Sequence, residues 1–433
     1  MSAEPTCPSA TSAPLRAPQP TAPAQRIAML DVVRGVALLG IFIMNMPSFS
    51  NSFYGLAPTP DVSGDALNRV AETVREMLFS GKFNSMFSLL FGLGFTLQMD
   101  RLEARSPAGA SAAASAEANT LYARRLFLLL LLGLLHGTLF WGGDVLHIYA
   151  LLGFGLLLVR RLSDRVIVGI ILATLLSPVL SQLLRYQLLT PDVLAKLSAD
   201  VRGLQASNNQ AFGHGSFVDS ARETTRGFAF GYGNLMGLWT SAGFYVQSMT
   251  TMLMGYLIGR HGLLQRIAPL MPTVKRIQWW ALAIGLAGTL VFGIGIHWTR
   301  TMEPSLLKMG VGICYVQSRL AMMIFYGLTL VRLMQDATWQ RRLSPFAAAG
   351  RMPLTNYLMQ TAMGLFIFHS WGLGYWGKLG PAAELLLAPA LFFAVQVPFS
   401  VWWFRRFSYG PLEYVWRVLT YGRAPEPAVG GRP

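Results

Sequence analysis

Residues 126–160 read LFLLLLLGLLHGTLFWGGDVLHIYALLGFGLLLVR, two apolar runs that meet at a glycine pair. Each run is long enough for a short membrane helix, and paired glycines break helices and form turns. We therefore predict a tight helical hairpin with its turn at Gly142 and Gly143. Asp144 follows the turn, where its carboxylate can accept hydrogen bonds from the free amides of the second helix.

The composition extends this interpretation to the whole chain. Of its 433 residues, 53% are hydrophobic and 13% are charged, about half the charged fraction of a soluble domain. The formal net charge of +15 is explained by Lys and Arg in cytoplasmic loops, so we expect no nucleic-acid partner. Cys7 and Cys314 form neither a metal-ligand spacing nor a disulfide framework. We expect no metal site.

The predicted fold is an all-α polytopic bundle of about ten transmembrane helices, because ten apolar segments have spanning length. Arginine pairs recur in alternate loops, which places both termini in the cytoplasm of a multi-pass protein. The predicted spans are 27–46, 83–99, 126–142, 144–160, 165–185, 235–258, 278–297, 311–333, 352–372 and 383–403.

The domain organisation follows from these spans. The loop 186–234 is too long for a simple connector; it either folds as a cap over the bundle or lies loosely on the surface. The predicted regions are a disordered Pro/Ala-rich tail at 1–25, an N-terminal membrane half of about five helices at 26–185, an extracytoplasmic loop at 186–234, a C-terminal membrane half of about five helices at 235–423 and a disordered tail at 424–433.

Polar side chains inside apolar segments are the candidates for function, because charge in the bilayer core is costly. His136, Asp144 and His147 are the candidate catalytic residues. An imidazole can act as acid or base near neutral pH, and His147 lies three residues after Asp144 on the same helix face. The alternatives are a buried histidine bonded to a helix carbonyl and a simple helix cap.

Further polar residues are candidates for substrate or cofactor binding. Asp31 and Arg34 can pair at i, i+3, although they are also explained as interfacial charges. Arg319 lies well inside its span and needs a partner or a polar cavity. Asn356 and Gln360 share a helix face; the alternative is that they hold membrane helices together. The full set is Asp31, Arg34, Asn45, Lys82, Ser85, Arg319, Arg351, Asn356 and Gln360.

Five segments carry a resemblance to a known family: LDVVRGVALLGIFIMN, GKFNSMFSLLFGLGF, RRLFLLLLLGLLHGTLFWGGDVLHIYALLG, GRMPLTNYLMQTAMGLFIFHSWGLG and YGPLEYVWRVLTYGR. They resemble the YeiB-like family of bacterial inner-membrane proteins, a domain of unknown function, over about residues 26–423. The first helix is also similar to that of transmembrane acyltransferases of the heparan-α-glucosaminide N-acetyltransferase type.

The second resemblance implies an enzyme that takes an acyl group from cytoplasmic acyl-CoA, with no permanently bound cofactor. The acceptor would be a cell-envelope glycan or lipid. The stretch PSFSNSFYGLAP has no histidine where that enzyme type has its catalytic one. The resemblance therefore points to His136 as the substitute, with Asp144 orienting it or His147. Arg34 and Arg319 would attract the donor's phosphates.

A transporter or exporter of a small molecule or lipid is the alternative function. The intramembrane polar residues would then line a path, with Asp144 and His147 carrying protons. Inverted repeats would favour this alternative, and no convincing repeat is visible. A third interpretation is a non-catalytic membrane partner whose polar residues are packing contacts. The oligomeric state stays open.

Overall fold

The computed structural model describes residues 28–52, 65–104, 112–188, 190–233, 235–295 and 305–422. Within these ranges all regular secondary structure is helical, with no strand. The tails predicted at 1–25 and 424–433 lie outside the described residues.

The helices are numbered here in chain order. They are α1 Ala28–Ser50, α2 Ala66–Leu78, α3 Lys82–Glu103, α4 Ala112–Leu139, α5 Leu146–Val159, α6 Asp164–Leu175, α7 Ser177–Leu188, α8 Pro191–His214, α9 Phe217–Gly233, α10 Leu235–Arg260, α11 Ile267–Gly295, α12 Leu306–Leu333, α13 Ala337–Arg351, α14 Pro353–Phe368, α15 Pro381–Leu391, a π-helical segment Phe392–Gln396, α16 Val397–Phe404 and α17 Pro411–Tyr421.

Within the described residues, six helical stretches are long and apolar enough to cross a membrane, which identifies a multi-pass membrane protein. They are Ala28–Ser50, Ser115–Leu139, Asp164–Leu188, Ile267–Gly295, Leu306–Leu333 and Pro381–Phe404. The other four predicted spans coincide with α3, α5, α10 and α14. Helices α5 and α14 have only 14 and 16 residues, and α3 and α10 carry more charged or polar side chains.

The predicted break at the glycine pair is confirmed. Helix α4 ends at Leu139 and α5 begins at Leu146, with a turn at residues 142–143. The N-cap of α5 is Val145, one residue after the predicted Asp144, and Asp144 Oδ2 accepts a hydrogen bond from the His147 amide at 3.0 Å. The two arms approach closely because Gly133 of α4 lies directly against the backbone of His147, where a Cβ would collide. The hairpin therefore carries all three candidate catalytic residues on facing surfaces.

Helices α3 and α10 cross at a second close contact made by small residues. Gly92 lies against the carbonyl of Met252, and Gly255 lies against the carbonyl of Leu89, with no room for a Cβ at either glycine. Small residues let membrane helices pack backbone to backbone. Gly92 and Gly255 therefore allow α3 and α10 to cross in backbone contact.

Residues 191–233 form two helices, of which α9 packs on α4 of the hairpin and α8 packs on α9, in keeping with the cap alternative. Thr225 Oγ1 donates to the Thr138 carbonyl at 2.8 Å. The Ser370 amide, beyond the end of α14, donates to the Phe212 carbonyl at 2.8 Å. The cap therefore contacts both α4 and the segment after α14. The position of this cap on the extracytoplasmic side of the membrane stays a prediction.

Candidate functional site

The carboxylate of Asp144 lies between two imidazole rings, and these three residues are called the His–Asp–His cluster below. Asp144 Oδ1 is 2.8 Å from His136 Nδ1, and Oδ2 is 2.8 Å from His147 Nδ1. All three side chains are buried. An ionised carboxylate can only accept hydrogen bonds, so each ring carries its proton on Nδ1 and leaves Nε2 as an acceptor or base. The predicted Asp144–His147 pair is present, and Asp144 also orients His136.

Both Nε2 atoms face hydroxyl groups from other helices. Thr361 Oγ1 of α14 is 3.1 Å from His136 Nε2, and Tyr232 Oη of α9 is 2.6 Å from His147 Nε2. Tyr357 of α14 donates to Asp144 Oδ1 at 3.5 Å. Sequence reasoning missed these three hydroxyls. The available signal was the i, i+4 spacing of Tyr357 and Thr361, which puts them on one face of α14.

A cavity of about 280 Å³, called the arginine cavity below, reaches Val145 and Tyr357 next to the cluster, while its lining includes none of the three cluster residues. It lies between α1, α3, α4, α5, α14 and α17, with Arg351 of α13 at its wall. Tyr357 lines the cavity and also donates to Asp144, and Val145 lines it beside Asp144. Arg125 is eleven residues from His136 on α4, about 16 Å along the helix axis. The cavity therefore connects a cationic region with the edge of the cluster.

Cations outnumber carboxylates around the arginine cavity. Arg34 Nη1 is 2.8 Å from Asp31 Oδ1, so the predicted i, i+3 pair is present. The guanidinium of Arg351 lies 3.8 Å from the Phe404 ring. The charged lining residues are Arg34, Arg101, Arg125, Arg351, Arg417, Asp31 and Glu413. Arg101 and Arg125 were not among the predicted binding residues, because their convergence on the cavity depends on tertiary packing.

Glu413 is a buried carboxyl group at the wall of the same cavity. It accepts hydrogen bonds from the Leu354 amide at 2.7 Å and the Thr355 amide at 3.1 Å, and so caps the start of α14. Burial raises the pKa of Glu413, which opposes these stabilising hydrogen bonds. Pro353 is the first residue of the same helix, where its missing N–H removes no helical hydrogen bond.

Asn356 and Gln360 lie elsewhere, in a buried set of amides that we call the amide network. Gln360 Nε2 donates to the Leu38 carbonyl at 3.2 Å and to Gln396 Oε1 at 3.1 Å. Gln396 Nε2 in turn donates to the Asn356 carbonyl at 2.7 Å. These bonds join α1, α14 and the π-helical segment, which matches the helix-packing alternative for Asn356 and Gln360.

The remaining predicted residues divide between a second cavity and the rest of α1. The second cavity, called the Arg319 cavity below, has a volume of about 550 Å³ and lies between α6, α7, α10 and α12. Ser85 accepts a hydrogen bond at 3.0 Å from Gln247, which lines it. Lys82 is fully buried beside it and donates to two backbone carbonyls, rather than extending to the membrane surface. Asn45 lines neither cavity.

The predicted binding residues thus fall into separate groups. Arg34 and Arg319, both expected near the donor's phosphates, line different cavities. Within the described parts of the chain, no three His, Cys, Asp or Glu side chains are arranged to hold a metal ion.

Known proteins resemble this chain along nearly its whole length. The profile of a family described as "Protein of unknown function (DUF418)" matches residues 258–423. Uncharacterized protein YxaH of Bacillus subtilis (strain 168) is 30% identical over 428 residues, covering 93% of this chain and 96% of that protein. Uncharacterized protein YeiB of Escherichia coli (strain K12) is 28% identical over 431 residues, covering 94% of this chain and 98% of that protein. These descriptions state no activity.

Proposed function

This chain belongs to the YeiB-like DUF418 family, and from that premise we propose that it is a membrane acyltransferase. It would move an acyl group from acyl-CoA to a glycan or lipid of the cell envelope. The supporting arrangement is one cavity that carries arginines along its wall and borders the His–Asp–His cluster at Tyr357. A charged donor and a buried base would meet there.

The proposed setting is the bacterial inner membrane, with about ten spans and both termini in the cytoplasm. In that orientation Arg34, Arg101 and Arg351 lie near the cytoplasmic ends of α1, α3 and α13. The arginine cavity would then open toward the compartment that contains acyl-CoA. Six helical stretches of spanning length support the membrane setting.

The arginines would hold the donor's phosphates, because guanidinium groups form charge-assisted and often bidentate hydrogen bonds with phosphate oxygens. Arg34 is partly exposed, with 27% of its side chain accessible, and its guanidinium pairs with Asp31 at 2.8 Å. The acyl thioester would extend past Tyr149 toward Tyr357, both of which line the cavity. Acyl-CoA acts here as a co-substrate.

His136 would act as the general base. Its Nε2 would accept the proton of the acceptor hydroxyl, which takes the place of the Thr361 hydroxyl, and the resulting oxygen would attack the thioester carbonyl. The C–S bond then breaks, and His136 returns the proton to the leaving thiolate. Asp144 holds the Nδ1 proton of His136 and stabilises the imidazolium during the transfer. The products are the acylated acceptor and free CoA.

The test uses purified protein in detergent and reads binding and transfer separately. Acetyl-CoA should raise the unfolding temperature, because a ligand that binds only the folded state stabilises it. Arg34→Gln should lose that shift. His136→Ala should keep the shift but lose transfer of a radiolabelled acetyl group to an envelope extract. Absence of any shift at millimolar acetyl-CoA, or full transfer by His136→Ala, would contradict the proposal.

A proton-coupled transporter or exporter is the second candidate, and one observation favours it. Tyr232, His147, Asp144, His136 and Thr361 form an unbroken series of hydrogen bonds that could carry protons. In that case acetyl-CoA would give no shift. Proteoliposomes would instead show substrate movement that follows an imposed pH gradient and is abolished by Asp144→Asn.

A further inference from the structure

We propose that the Arg319 cavity is a binding site for a membrane lipid with an anionic headgroup. The site is separate from the arginine cavity and from the His–Asp–His cluster, so the proposal goes beyond the acyltransferase assignment. The headgroup would bind the guanidinium of Arg319, and the acyl chains would lie along α7 and α10.

The main observation is that Arg319 has no carboxylate partner among the described residues. Its Nε is buried and makes no hydrogen bond, and its guanidinium lies 5.2 Å from the Tyr315 ring. A lone cation inside a membrane helix is costly unless a counter-charge or polar partner is present. Because Arg319 also lines a cavity of about 550 Å³, a bound anion could supply that counter-charge.

A second cation increases the demand for an anion. Lys82 is fully buried, and its Nζ lies 5.9 Å from the same Tyr315 ring. It donates to the backbone carbonyls of Glu76 and Ser80, both at 3.3 Å. The Glu76 carboxylate accepts a hydrogen bond from Tyr315 Oη at 3.2 Å. Two cations therefore face this ring with one carboxylate beside them.

The backbone holds Arg319 in place before any ligand binds. Gly81 has a φ of 68°, a left-handed conformation that glycine adopts without strain. The guanidinium of Arg319 lies directly over Gly81, at the position that a Cβ would occupy. Preorganisation of this kind lowers the entropy cost of binding.

The walls of the cavity favour a lipid over a soluble anion. Leu180, Leu184, Phe244 and Val246 provide apolar surface along one side, and the cavity is enclosed by stretches of membrane-spanning length, Asp164–Leu188 and Leu306–Leu333, together with α10. Several polar side chains of the lining already bond to protein groups: Thr250 donates to Thr174 Oγ1 at 2.8 Å, Gln247 to Ser85 Oγ at 3.0 Å and Gln317 to the Leu175 carbonyl at 2.8 Å. Arg319 is the charged group of this lining, and phosphate oxygens suit a guanidinium.

The experiment compares three probes on purified protein in neutral detergent. They are didecanoyl phosphatidylglycerol, didecanoyl phosphatidylcholine and inorganic phosphate, each tested by thermal unfolding and by native mass spectrometry. The wild type should be stabilised by phosphatidylglycerol and retain it in the mass spectrum. Phosphatidylcholine, whose headgroup has no net charge, and inorganic phosphate should bind at least ~10-fold more weakly. An equal shift with inorganic phosphate would overturn the lipid assignment.

Two variants test the site independently: one removes the charge, and the other fills the cavity. Arg319→Gln should weaken phosphatidylglycerol binding at least ~10-fold. Gly243→Phe should also weaken phosphatidylglycerol binding, because the phenyl ring would fill the cavity. Gly243 lines the cavity, and a Cβ at this position meets nothing within 4 Å. Unchanged lipid binding in both variants would overturn the proposal.

A fold control and a charge-matched control complete the design. Without lipid, Arg319→Gln should unfold at the same temperature as wild type or higher, since it removes an unpaired charge; a large decrease would indicate an internal partner and contradict the proposal. Arg34→Gln, in the other cavity, should keep the phosphatidylglycerol shift and lose the acetyl-CoA shift. Arg319→Gln should keep the acetyl-CoA shift and lose the phosphatidylglycerol shift. Failure of the lipid site and failure of the acyltransferase proposal are therefore distinguishable.

Discussion

Two neighbouring faces of helix α14 present polar groups, and they differ in what those groups contact. Asn356 and Gln360 join the amide network, whereas Tyr357 and Thr361 contact the His–Asp–His cluster. The two pairs are one residue out of register, a rotation of about 100° around the helix. A single helix therefore holds the bundle together with one face and supports the candidate catalytic groups with the next.

The difference between the faces is chemical as well as geometric. Amides stay neutral over the physiological pH range, and those of Asn356 and Gln360 bond mainly to backbone and to other amides. Imidazole and carboxylate groups can exchange protons, and their face borders the arginine cavity through Tyr357. We infer that polarity inside a membrane helix indicates function most strongly where titratable groups lie beside a cavity.

The largest effect is expected from Asp144→Asn. The amide cannot accept from both imidazoles, so at least one ring takes the wrong tautomer, and acyl transfer should fall about 10³–10⁴-fold. The acetyl-CoA shift in unfolding temperature should persist. Initial rates of labelled acetyl transfer measure the loss. A rate within tenfold of wild type would show that Asp144 has a structural role, like Asn356 and Gln360. The two faces of α14 would then not differ in function.

A smaller loss of rate is expected from Tyr357→Phe. The change removes one donor to the Asp144 carboxylate and the hydroxyl that accepts from the Val145 amide at 3.2 Å. We expect kcat to fall about tenfold. Steady-state kinetics would check this, with Tyr122→Phe, whose ring lines the same cavity away from the cluster, as the matched control. Equal losses in both variants would show that Tyr357 acts only through packing.

A change in the amide network should lower the stability of the protein and leave the rate of acyl transfer unchanged. Gln396→Leu removes the hydrogen bonds to Gln360 and to the Asn356 carbonyl. The free energy of unfolding should fall by about 1–2 kcal/mol, because interhelical hydrogen bonds in membranes are individually modest. Denaturant titration measures the fall, and the transfer rate per folded molecule should stay unchanged. A rate loss without a stability loss would assign the amide network to the active site.

The smallest effect concerns Glu413, which caps α14 from α17, beyond the last predicted span. Its pKa is raised in the folded state, so the folded protein binds more protons than the unfolded one above the ordinary glutamate pKa. Stability should therefore decline as pH rises from that ordinary value through the raised one. Glu413→Gln should lack this decline. Unfolding temperatures between about pH 4 and pH 7 compare the two proteins; parallel curves would contradict the assignment.

Local patterns predicted part of this arrangement from the sequence. The glycine pair and the i, i+3 spacings located the hairpin turn and the pairs Asp144–His147 and Asp31–Arg34, because these features depend on residues close in the chain. The contact between His136 and Thr361 joins positions 225 residues apart. No periodicity encodes such a contact, because it depends on how α14 packs on the hairpin.

The binding residues were harder to predict for a related reason. Arg34 and Arg319 look equivalent as cations in apolar segments, yet one has Asp31 at 2.8 Å and the other has no carboxylate partner in the described part of the chain. Their different surroundings are set by which helices enclose each position. Charge in a membrane segment could be recognised from the sequence, and so could a counter-charge three residues away on the same helix, as for Arg34 and Asp31. The surroundings of Arg319 depend on helix packing and could not be predicted.

The glycine crossing of α3 and α10 has a mechanical consequence for the two cavities. Gly94 of α3 lines the arginine cavity, and Thr251 of α10 lines the Arg319 cavity. At Gly92 and Gly255 the backbones touch, so the partition between the cavities is rigid there and has no side chain that could absorb a displacement. A lipid that shifts α10 would push α3 with it. Occupancy of either cavity should therefore change affinity at the other by the same factor, an equality that titrations in both orders can measure.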